Sequence, residues 1–297
     1  MKKVLKWFGI VLGGLIGILV IAAIALYLLG SAKFSKNYNV SASVIPVPTD
    51  DQSIQRGKHL ATIFMCTGCH SEDFSGKEYF TIPGMLNIPT PNLTTGDGGV
   101  GGLYSVEDWS RAIRHGVAVD GRAIFIMMSR QYAHMSDEDL GSLIAYLQSL
   151  PPIDNQLSQR RLEFLGLVMM GAGMMPPLAA DQIDHSITQV GSVEPGVTVD
   201  YGKYLTFTCT ECHGENFNGA PFGPPGQEVI TPNLTPGGEL VAWSEQDFID
   251  TMRTGVTPSG RTLSEDMPWK YFGQMTDDEL KAVWMYLRSL PALPVGQ

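Results

Sequence analysis

The N-terminal part of the chain contains an almost unbroken apolar run from Trp7 to Gly30, in which no residue is charged. A helix crosses a bilayer with about 20 apolar residues, whereas the apolar part of a cleavable signal has about 7 to 15. The run therefore predicts a retained transmembrane anchor over residues 1–32, with cleavage near Ser31 as the alternative. Three lysines among the first six residues predict a cytoplasmic N-terminus, so that the rest of the chain faces outward.

After the anchor, the sequence repeats itself once. Five features recur in the same order about 140 residues apart, which indicates tandem duplication of one domain and not a solenoid of short repeats. They are a Cys-x-x-Cys-His motif at 66–70 and 209–213, a Thr-Pro-Asn-Leu-Thr segment at 90–94 and 231–235, a Gly-Arg pair at 121–122 and 260–261, an acidic helix start at 135–140 and 275–280, and a final Leu-Pro. We therefore expect two domains, at residues 51–153 and 199–297, with a linker at 33–50 after the anchor and an interdomain linker at 154–198.

Each copy also shows the pattern of short amphipathic helices. In the last helix of each copy, apolar residues recur three or four positions apart after an N-cap at Ser136 or Thr276. Ser105 and Ser244 predict the caps of an earlier helix, and a third helix is expected before each Cys-x-x-Cys-His motif. No stretch alternates apolar and polar residues as a strand does, so the sequence predicts an all-α fold: a transmembrane helix followed by two tandem helical domains. Long loops containing glycine and proline are expected at 74–103 and 217–241.

The segment 154–198 between the copies contains an apolar stretch from Leu162 to Met170 and a Met174-Met175 pair. This stretch is too short to span a bilayer. It predicts a helix packed between the domains, an interfacial helix, or a contact for a partner subunit. We favour packing between the domains, because methionine is most often adaptable core filler.

The charge balance narrows the classes of partner. The chain has 20 Lys and Arg against 30 Asp and Glu, a formal net charge of -10. Because no cationic field is available to gather phosphates, nucleic acid is not an expected partner. A protein partner that exchanges electrons with such an acidic molecule is expected to present a basic patch.

All four cysteines of the chain lie in the two Cys-x-x-Cys-His motifs. On a helical turn, two thiols at this spacing lie close enough to bond the two vinyl groups of one haem, and the adjoining histidine is placed to bind the iron. We therefore predict two covalently bound haem c groups. The predicted cofactor-binding residues are Cys66, Cys69, His70, Cys209, Cys212 and His213.

Three other uses of paired cysteines were weighed. A four-cysteine zinc site does not require a histidine directly after the second cysteine of each pair. A thioredoxin-like redox pair requires strands, which the pattern does not predict. Disulfides in an oxidising compartment remain an alternative for a chain without haem.

Methionines in matching loops are the predicted sixth ligands of the two irons. Met267 stands between two predicted helices of the second copy. Counting back from the last helix of each copy places Met127 opposite it, whereas counting forward from the Gly-Arg pairs places Met128 there; we choose Met127. The alternative is core packing, the usual role of a single methionine. The predicted iron ligands are thus His70 with Met127, and His213 with Met267.

Other candidate residues are given lesser roles. Arg114 and Arg253 lie on matched predicted helices and could neutralise haem propionates, with solvated surface charge as the equal alternative. Four further histidines either lack a matching histidine in the other copy or lie between the copies, so we expect ordinary polar roles for His59, His115, His134 and His185.

These motifs resemble the class I cytochrome c family, and more closely the membrane-anchored cytochrome subunits of bacterial alcohol, aldehyde and gluconate dehydrogenases. The resemblance covers about residues 51–153 and 199–293, and it includes Met267-Pro268-Trp269. It implies a cytochrome c fold in each half, His and Met axial ligands, and electron transfer to a quinone pool or a terminal oxidase. Subunits of that group commonly carry three haem motifs, whereas this chain has two.

The expected function is therefore that of a membrane-anchored dihaem electron carrier, or an electron-transfer subunit of an oxidoreductase complex, with no catalytic residue of its own. The expected protein partner is a dehydrogenase, a quinol-oxidising complex or a terminal oxidase. The expected location is the cytoplasmic (inner) membrane, crossed once, with the haem domains in the periplasm. A dihaem peroxidase-like enzyme and a scaffold subunit of a respiratory complex are the alternatives, and the first of these needs an open sixth position on one iron.

Overall fold

The N-terminal helix α1 runs from Lys2 to Phe34 in the computed structural model, which describes residues 2–187, 189–223 and 226–296. Its 33 residues give a length of about 50 Å at about 1.5 Å per residue. Within the described ranges it is the one helix that is long and apolar enough to cross a membrane. Residues 2–22 are exposed along their whole length, and only the C-terminal third of α1 contacts the rest of the chain. The predicted apolar helix is confirmed.

The parts of the chain after α1 contain the same helices twice in the same order. The first half has α2 (Asp51–Ile63), α3 (Cys66–His70), α4 (Val106–His115), α5 (Ser129–Tyr132) and α6 (Asp137–Gln148). A further helix, α7 (Phe164–Gly171), follows in the segment between the halves. The second half has α8 (Val199–Leu205), α9 (Thr210–His213), α10 (Glu245–Thr254), α11 (Trp269–Phe272) and α12 (Asp277–Ser289). Short 3-10 turns lie at Ala179–Asp181, Phe207–Cys209 and Glu239–Ala242.

Local sequence signals fix the ends of these helices. All four predicted N-cap residues accept a hydrogen bond from the backbone N–H three positions on, and they are Ser105, Ser136, Ser244 and Thr276. Gly116 and Gly255 follow α4 and α10 with φ of 64° and 71°, left-handed values that favour glycine. The predicted caps are confirmed, because capping depends on residues within one helical turn.

Two short antiparallel sheets depart from the all-α prediction. The strands are β1 (Lys77–Ile82), β2 (Leu86–Thr90), β3 (Arg161–Leu162), β4 (Pro221–Phe222) and β5 (Val229–Ile230). In the first sheet β2 pairs with both β1 and β3, with Lys77 opposite Thr90 and Leu86 opposite Leu162; in the second, β4 pairs with β5. The expectation of no strands is wrong here, because five of the six residues of β1 are exposed and no alternation marks the strand. The chain is nevertheless rich in helices.

In each half, the first and last helices cross at very short distance. A Cβ at Gly57 of α2 would lie 2.0 Å from the carbonyl oxygen of Ser142 in α6. The equivalent atom at Gly202 of α8 would lie 1.9 Å from the carbonyl oxygen of Ala282 in α12. Both positions therefore require glycine, since any side chain would push the two helices apart.

Arg56 of α2 links the two halves. Its guanidinium donates to both carboxylate oxygens of Asp139 in α6, at 2.9 and 3.0 Å, and to Glu279 in α12 at 3.1 Å. It also donates to the hydroxyl of Tyr201 in α8 at 3.1 Å, while His59 Nε2 lies 2.7 Å from the other oxygen of Glu279. Asp139 and Glu279 are buried, so their charges depend on these partners.

Apolar packing also joins the halves. The rings of Phe64 and Phe207 have centroids 4.6 Å apart, and each phenylalanine stands two residues before the first cysteine of its motif. Buried residues of both halves form one continuous apolar cluster around this contact. The two Cys-x-x-Cys-His segments are thereby held close together.

The helix α7 packs on α1 and not between the halves. Its backbone approaches α1 so closely that a Cβ at Gly30 would lie 1.8 Å from the carbonyl oxygen of Leu167. The amide N–H of Glu163, just before α7, donates to Met85 O at the β1–β2 turn over 2.9 Å. The favoured interpretation of this stretch, packing between the domains, is therefore wrong for α7.

Candidate functional site

The Thr-Pro-Asn-Leu-Thr segments hold the two Cys-x-x-Cys-His motifs in place. In the first half, His70 Nδ1 lies 3.0 Å from Pro91 O, and the Thr90 hydroxyl donates to Cys69 O at 2.7 Å. Because a carbonyl oxygen can only accept, Nδ1 carries the ring proton and Nε2 keeps a lone pair. This hydrogen bond from the ring N–H fixes the orientation of the His70 imidazole, and metal-binding histidines are commonly held in the same way.

The second half reproduces these contacts. His213 Nδ1 lies 2.9 Å from Pro232 O, and the Thr231 hydroxyl donates to Cys212 O at 2.8 Å. Burial lowers the pKa of His213, as it does for His70, so both imidazoles are neutral near pH 7 and able to ligate a metal.

The asparagines of these segments tie the loops to the end of each half. Asn92 and Asn233 are buried and donate to Ile153 O and Leu293 O, at 2.7 and 2.8 Å. Their side-chain oxygens accept hydrogen bonds from the backbone N–H two residues on. The repetition of Thr-Pro-Asn-Leu-Thr thus has a structural cause.

The four motif cysteines form no disulfide with one another, and burial raises the pKa of both Cys66 and Cys209 to about 12. In the part of the chain that the structure describes, no three His, Cys, Asp or Glu side chains are grouped as metal ligands. The two cysteine pairs therefore do not form the four-cysteine arrangement that a structural zinc ion requires.

One large cavity is bounded by both motifs. Its volume is about 1670 Å³, beyond the roughly 300–1,000 Å³ of a pocket for one ordinary ligand. Its polar lining includes His70 and His213, and most of the remaining wall is apolar. Such a space accepts a large apolar group beside each motif.

Met127 and Met267 occupy equivalent places on the wall of this cavity. Each immediately precedes the N-cap residue of the short helix after the Gly-Arg pair, and these N-caps are Met128 of α5 and Pro268 of α11. The two N-cap residues have similar backbone angles, φ -75° and ψ 39° against φ -79° and ψ 48°. The structural register therefore pairs Met127 with Met267, although Met128 also lines the cavity.

Two buried nitrogens on the cavity wall have no hydrogen-bond partner among the residues that the structure describes. The indole Nε1 of Trp109 is one, and Nη2 of Arg160 is the other. An unpaired buried donor is costly unless a ligand supplies an acceptor. A flat apolar group with an anionic edge satisfies both the wall and these donors, and haem with its propionates has that chemistry.

The sequence model of the cytochrome c family matches residues 54–151 and 199–291, and these ranges contain both motifs. The chain belongs to the cytochrome c family. Membership of this family supports covalently bound haem c as the cofactor.

Similar proteins include cytochrome subunits of dehydrogenases. The chain is 28% identical over 273 residues to the fructose dehydrogenase cytochrome subunit of Gluconobacter japonicus, covering 83% of this cytochrome and 54% of the relative. It is 27% identical over 264 residues to a diheme cytochrome c-type protein of Cereibacter sphaeroides, covering 80% and 86%. It is 39% identical over 106 residues to the gluconate 2-dehydrogenase cytochrome c subunit of Pantoea cypripedii, covering 33% and 23%. This cytochrome spans about half the length of the fructose dehydrogenase subunit.

Arg114 and Arg253 do not face the cavity of this cytochrome. Arg114 donates to Met135 O and pairs with Asp137, and both contacts measure 2.8 Å. Arg253 donates to Gly273 O and pairs with Asp277 at 2.8 Å. Both arginines therefore attach the helix before the Gly-Arg pair to the start of the last helix, and neither lines the cavity, so nothing in their placement supports a role towards a propionate.

Sequence reasoning missed Arg160 and Trp109 as residues of the site. Trp109 stands four residues after the capping Ser105, and the second copy has Phe248 at the matching place after Ser244, so comparison of the copies shows a recurring aromatic residue there but not its ring N–H. Arg160 lies outside the repeat, so no comparison between the copies could identify it.

The remaining histidines lie away from the cavity wall. His59 contacts Glu279 at the junction of the halves. His115 is buried with its Nδ1 3.2 Å from that of His185, so it has a polar role in the interior and not at the surface.

Proposed function

We propose that this chain is a membrane-anchored dihaem cytochrome c that carries electrons between a dehydrogenase or another respiratory donor and an acceptor. One observation carries the proposal: the second copy repeats the first copy's hydrogen bond from the motif histidine to a proline carbonyl, on the same cavity. A site built twice in this way fits two haems. The dihaem name of the Cereibacter sphaeroides relative, which the chain matches over most of both lengths, agrees with that number.

In this proposal, each copy is a domain, at residues 51–153 and 199–297, that holds one haem. The first haem bonds Cys66 and Cys69 and is ligated by His70 and Met127. The second bonds Cys209 and Cys212 and is ligated by His213 and Met267.

The protein's own residues set the properties of each site. Haem c supplies a one-electron redox couple. The carbonyls of Pro91 and Pro232 hold each imidazole with Nε2 free to ligate iron, and the mostly apolar wall would surround a bound haem with apolar side chains. A methionine thioether as sixth ligand raises the potential and leaves no open position for a substrate. This favours electron transfer over the peroxidase-like alternative.

The proposed route between the haems crosses the junction of the two halves. The rings of Phe64 and Phe207 are in contact, and each phenylalanine lies just before its motif in sequence. Arg56 of α2 also joins the halves, through its hydrogen bond to Glu279 of α12. Electrons then pass within the chain, and a partner can deliver to one haem and collect from the other.

The helix α1 is the proposed membrane anchor, with its N-terminus in the cytoplasm and both haem domains in the periplasm. A cleaved signal is the alternative for the same helix. The fructose dehydrogenase and gluconate 2-dehydrogenase relatives are cytochrome subunits by name, so we propose a dehydrogenase as donor. A quinol-oxidising complex or a terminal oxidase is the other proposed redox partner.

Counting haems tests the dihaem proposal. A pyridine haemochrome assay on the purified full-length protein is expected to give two covalent haems per chain. A Cys66→Ser, Cys69→Ser variant and a Cys209→Ser, Cys212→Ser variant are each expected to keep one. A single haem in the unmodified chain would reject the proposal, and retention of both haems in either variant would reject the assigned attachment sites.

Replacing Arg160 with glutamine is expected to lower the midpoint potential of the first haem. Loss of a positive charge beside a haem favours the ferric state, by an amount on the order of tens of millivolts. Redox titration of the full-length holoprotein measures the change. Arg161→Gln is the matched control, because Arg161 is adjacent, exposed and paired at 3.4 Å with Glu163. Equal shifts in both variants would contradict a contact between Arg160 and a propionate.

A further inference from the structure

The segment 164–180 is uncharged along its whole length, and its outer surface is strongly apolar. Glu163 and Asp181 are the charged residues that border it. Within it, Phe164, Leu165 and Met174 are 59%, 51% and 62% exposed. Large apolar side chains grouped in this way usually mark a surface that something else covers.

This segment is joined directly to α1. Partly buried residues of α1 recur three or four positions apart on one face of its C-terminal third, and they are Ala23, Leu26, Tyr27, Gly30, Ser31 and Phe34. A Cβ at Gly171 would lie 1.9 Å from the carbonyl oxygen of Leu26, and the ring of Tyr27 stacks on Phe164 at 5.6 Å. Small residues permit this close approach, as they do between helices in membranes. The exposed apolar surface of α7 is therefore continuous with that of α1.

The apolar run of α1 indicates the depth in the bilayer at which α7 contacts α1. A run from Trp7 to Gly30 is about 36 Å long as a helix, slightly more than the roughly 30 Å of a bilayer core. Contact with α7 at residues 23–34 thus falls at the outer end of the run. Lys33 donates to Met170 O at 3.3 Å and Lys36 pairs with Asp181 at 2.6 Å, so charged groups begin where the apolar run stops.

We infer that residues 164–180 lie in the outer interfacial layer of the bilayer, as a second membrane contact beside α1. Leu167 and Met170 are buried inward, while Phe164 and Leu165 face outward and enter the lipid. Apolar side chains that enter the boundary between headgroups and acyl chains are stabilised by the apolar area that they bury there. The inference rests on the proposed anchor, since it takes α1 to span the membrane.

The first haem site is consequently the one beside the membrane. Met169, Met174 and Met175 form part of the cavity wall. The buried cluster that contains Leu167 and Met170 is completed by residues of the first half, such as Leu86 and Val117. Two contacts, α1 and 164–180, then fix the orientation of the first half on the bilayer, which a single flexible anchor could not do.

Photo-crosslinking in native membranes tests this placement. Benzoylphenylalanine is introduced into the full-length holoprotein by Leu165→benzoylphenylalanine, and adducts are identified by mass spectrometry. The matched control is Val241→benzoylphenylalanine, at a position of the second half that is 58% exposed. Phospholipid adducts at 165 are expected to exceed those at 241 by about tenfold or more, since only a side chain in the acyl region contacts lipid continuously.

A third variant, Leu19→benzoylphenylalanine in the middle of α1, separates the inference from the anchor. Lipid adducts at 19 without lipid adducts at 165 would overturn the inference and leave the anchor standing. A protein adduct at 165 in place of lipid would overturn it in favour of a docked partner subunit. No lipid adducts at either position would reject the anchor and the inference together.

Discussion

Replacing Met267 with leucine is expected to open the sixth position of the second haem. Leucine fills a similar volume but has no sulfur to ligate iron, so that haem should become partly high-spin and bind carbon monoxide. Its midpoint potential should fall by roughly 0.1 V or more, within the range of about 0.8 V that axial ligands span. Absorption spectroscopy of the ferric and ferrous protein, followed by redox titration, measures both effects.

Met275→Leu is the control for this variant. Met275 also lines the cavity, but it is buried at 3% exposure and precedes the N-cap of α12. We expect it to be core filler, so its replacement should leave the ligation of both haems unchanged. If Met275→Leu loses methionine ligation and Met267→Leu keeps it, the iron ligand is Met275 and not Met267.

The same comparison decides the ligand of the first haem. Met127→Leu should open its sixth position, and Met128→Leu should not, because the structural register pairs Met127 with Met267. The reverse outcome would show that Met128 is the sixth ligand of the first haem iron.

Arg56→Ala is expected to lower the free energy of unfolding by about 3 to 5 kcal/mol, the cost of breaking a buried ion pair from one side. The carboxylates of Asp139 and Glu279 would both lose a charged donor while remaining buried. Urea unfolding of the full-length holoprotein, followed by circular dichroism and by haem absorption, measures the change. Arg261→Ala is the control, because its pair with Glu239 is exposed and is expected to contribute less than about 1 kcal/mol.

The contribution of Arg56 should also depend on pH. Burial raises the pKa of Glu279, but His59, the Thr276 backbone N–H and Arg56 outweigh burial and lower the pKa to about 2. A carboxyl with a lowered pKa in the folded state stabilises the fold above its unfolded pKa of about 4.3, and this contribution is lost as pH falls towards 2. The difference in stability between the unmodified chain and Arg56→Ala should therefore shrink between about pH 4.3 and pH 2. If the difference in stability stays constant over this range, the contribution of Arg56 does not depend on the ionisation of Glu279.

The relatives place limits on the biological role. Dehydrogenase subunits are among the proteins similar to this chain, yet it covers 54% of the fructose dehydrogenase subunit. The chain covers 86% of the dihaem relative of Cereibacter sphaeroides, so these two proteins match over a larger share of the relative's length. The partner of this cytochrome is therefore best found by purification from the native membrane.

The sequence by itself determined the features whose causes are local. A Cys-x-x-Cys-His motif carries its chemistry within five residues, and an N-cap such as Ser105 acts within one helical turn. The apolar run of α1 is likewise visible without any partner. Duplication added to this, because two copies show which residues recur, and that comparison is what makes Met267 a candidate ligand.

Only the tertiary structure decided the features that join distant segments. Arg56 and Glu279 are 223 residues apart in sequence, and α7 meets α1 across more than a hundred residues. Arg160 carries no signal in sequence, since its importance comes from a buried nitrogen, Nη2, that has no hydrogen-bond partner among the described residues. The strands were missed for a related reason: β1 is mostly exposed, and β2 supplies its hydrogen bonds from elsewhere in the chain. Such features depend on which surfaces become buried together, and a pattern along the chain does not record that.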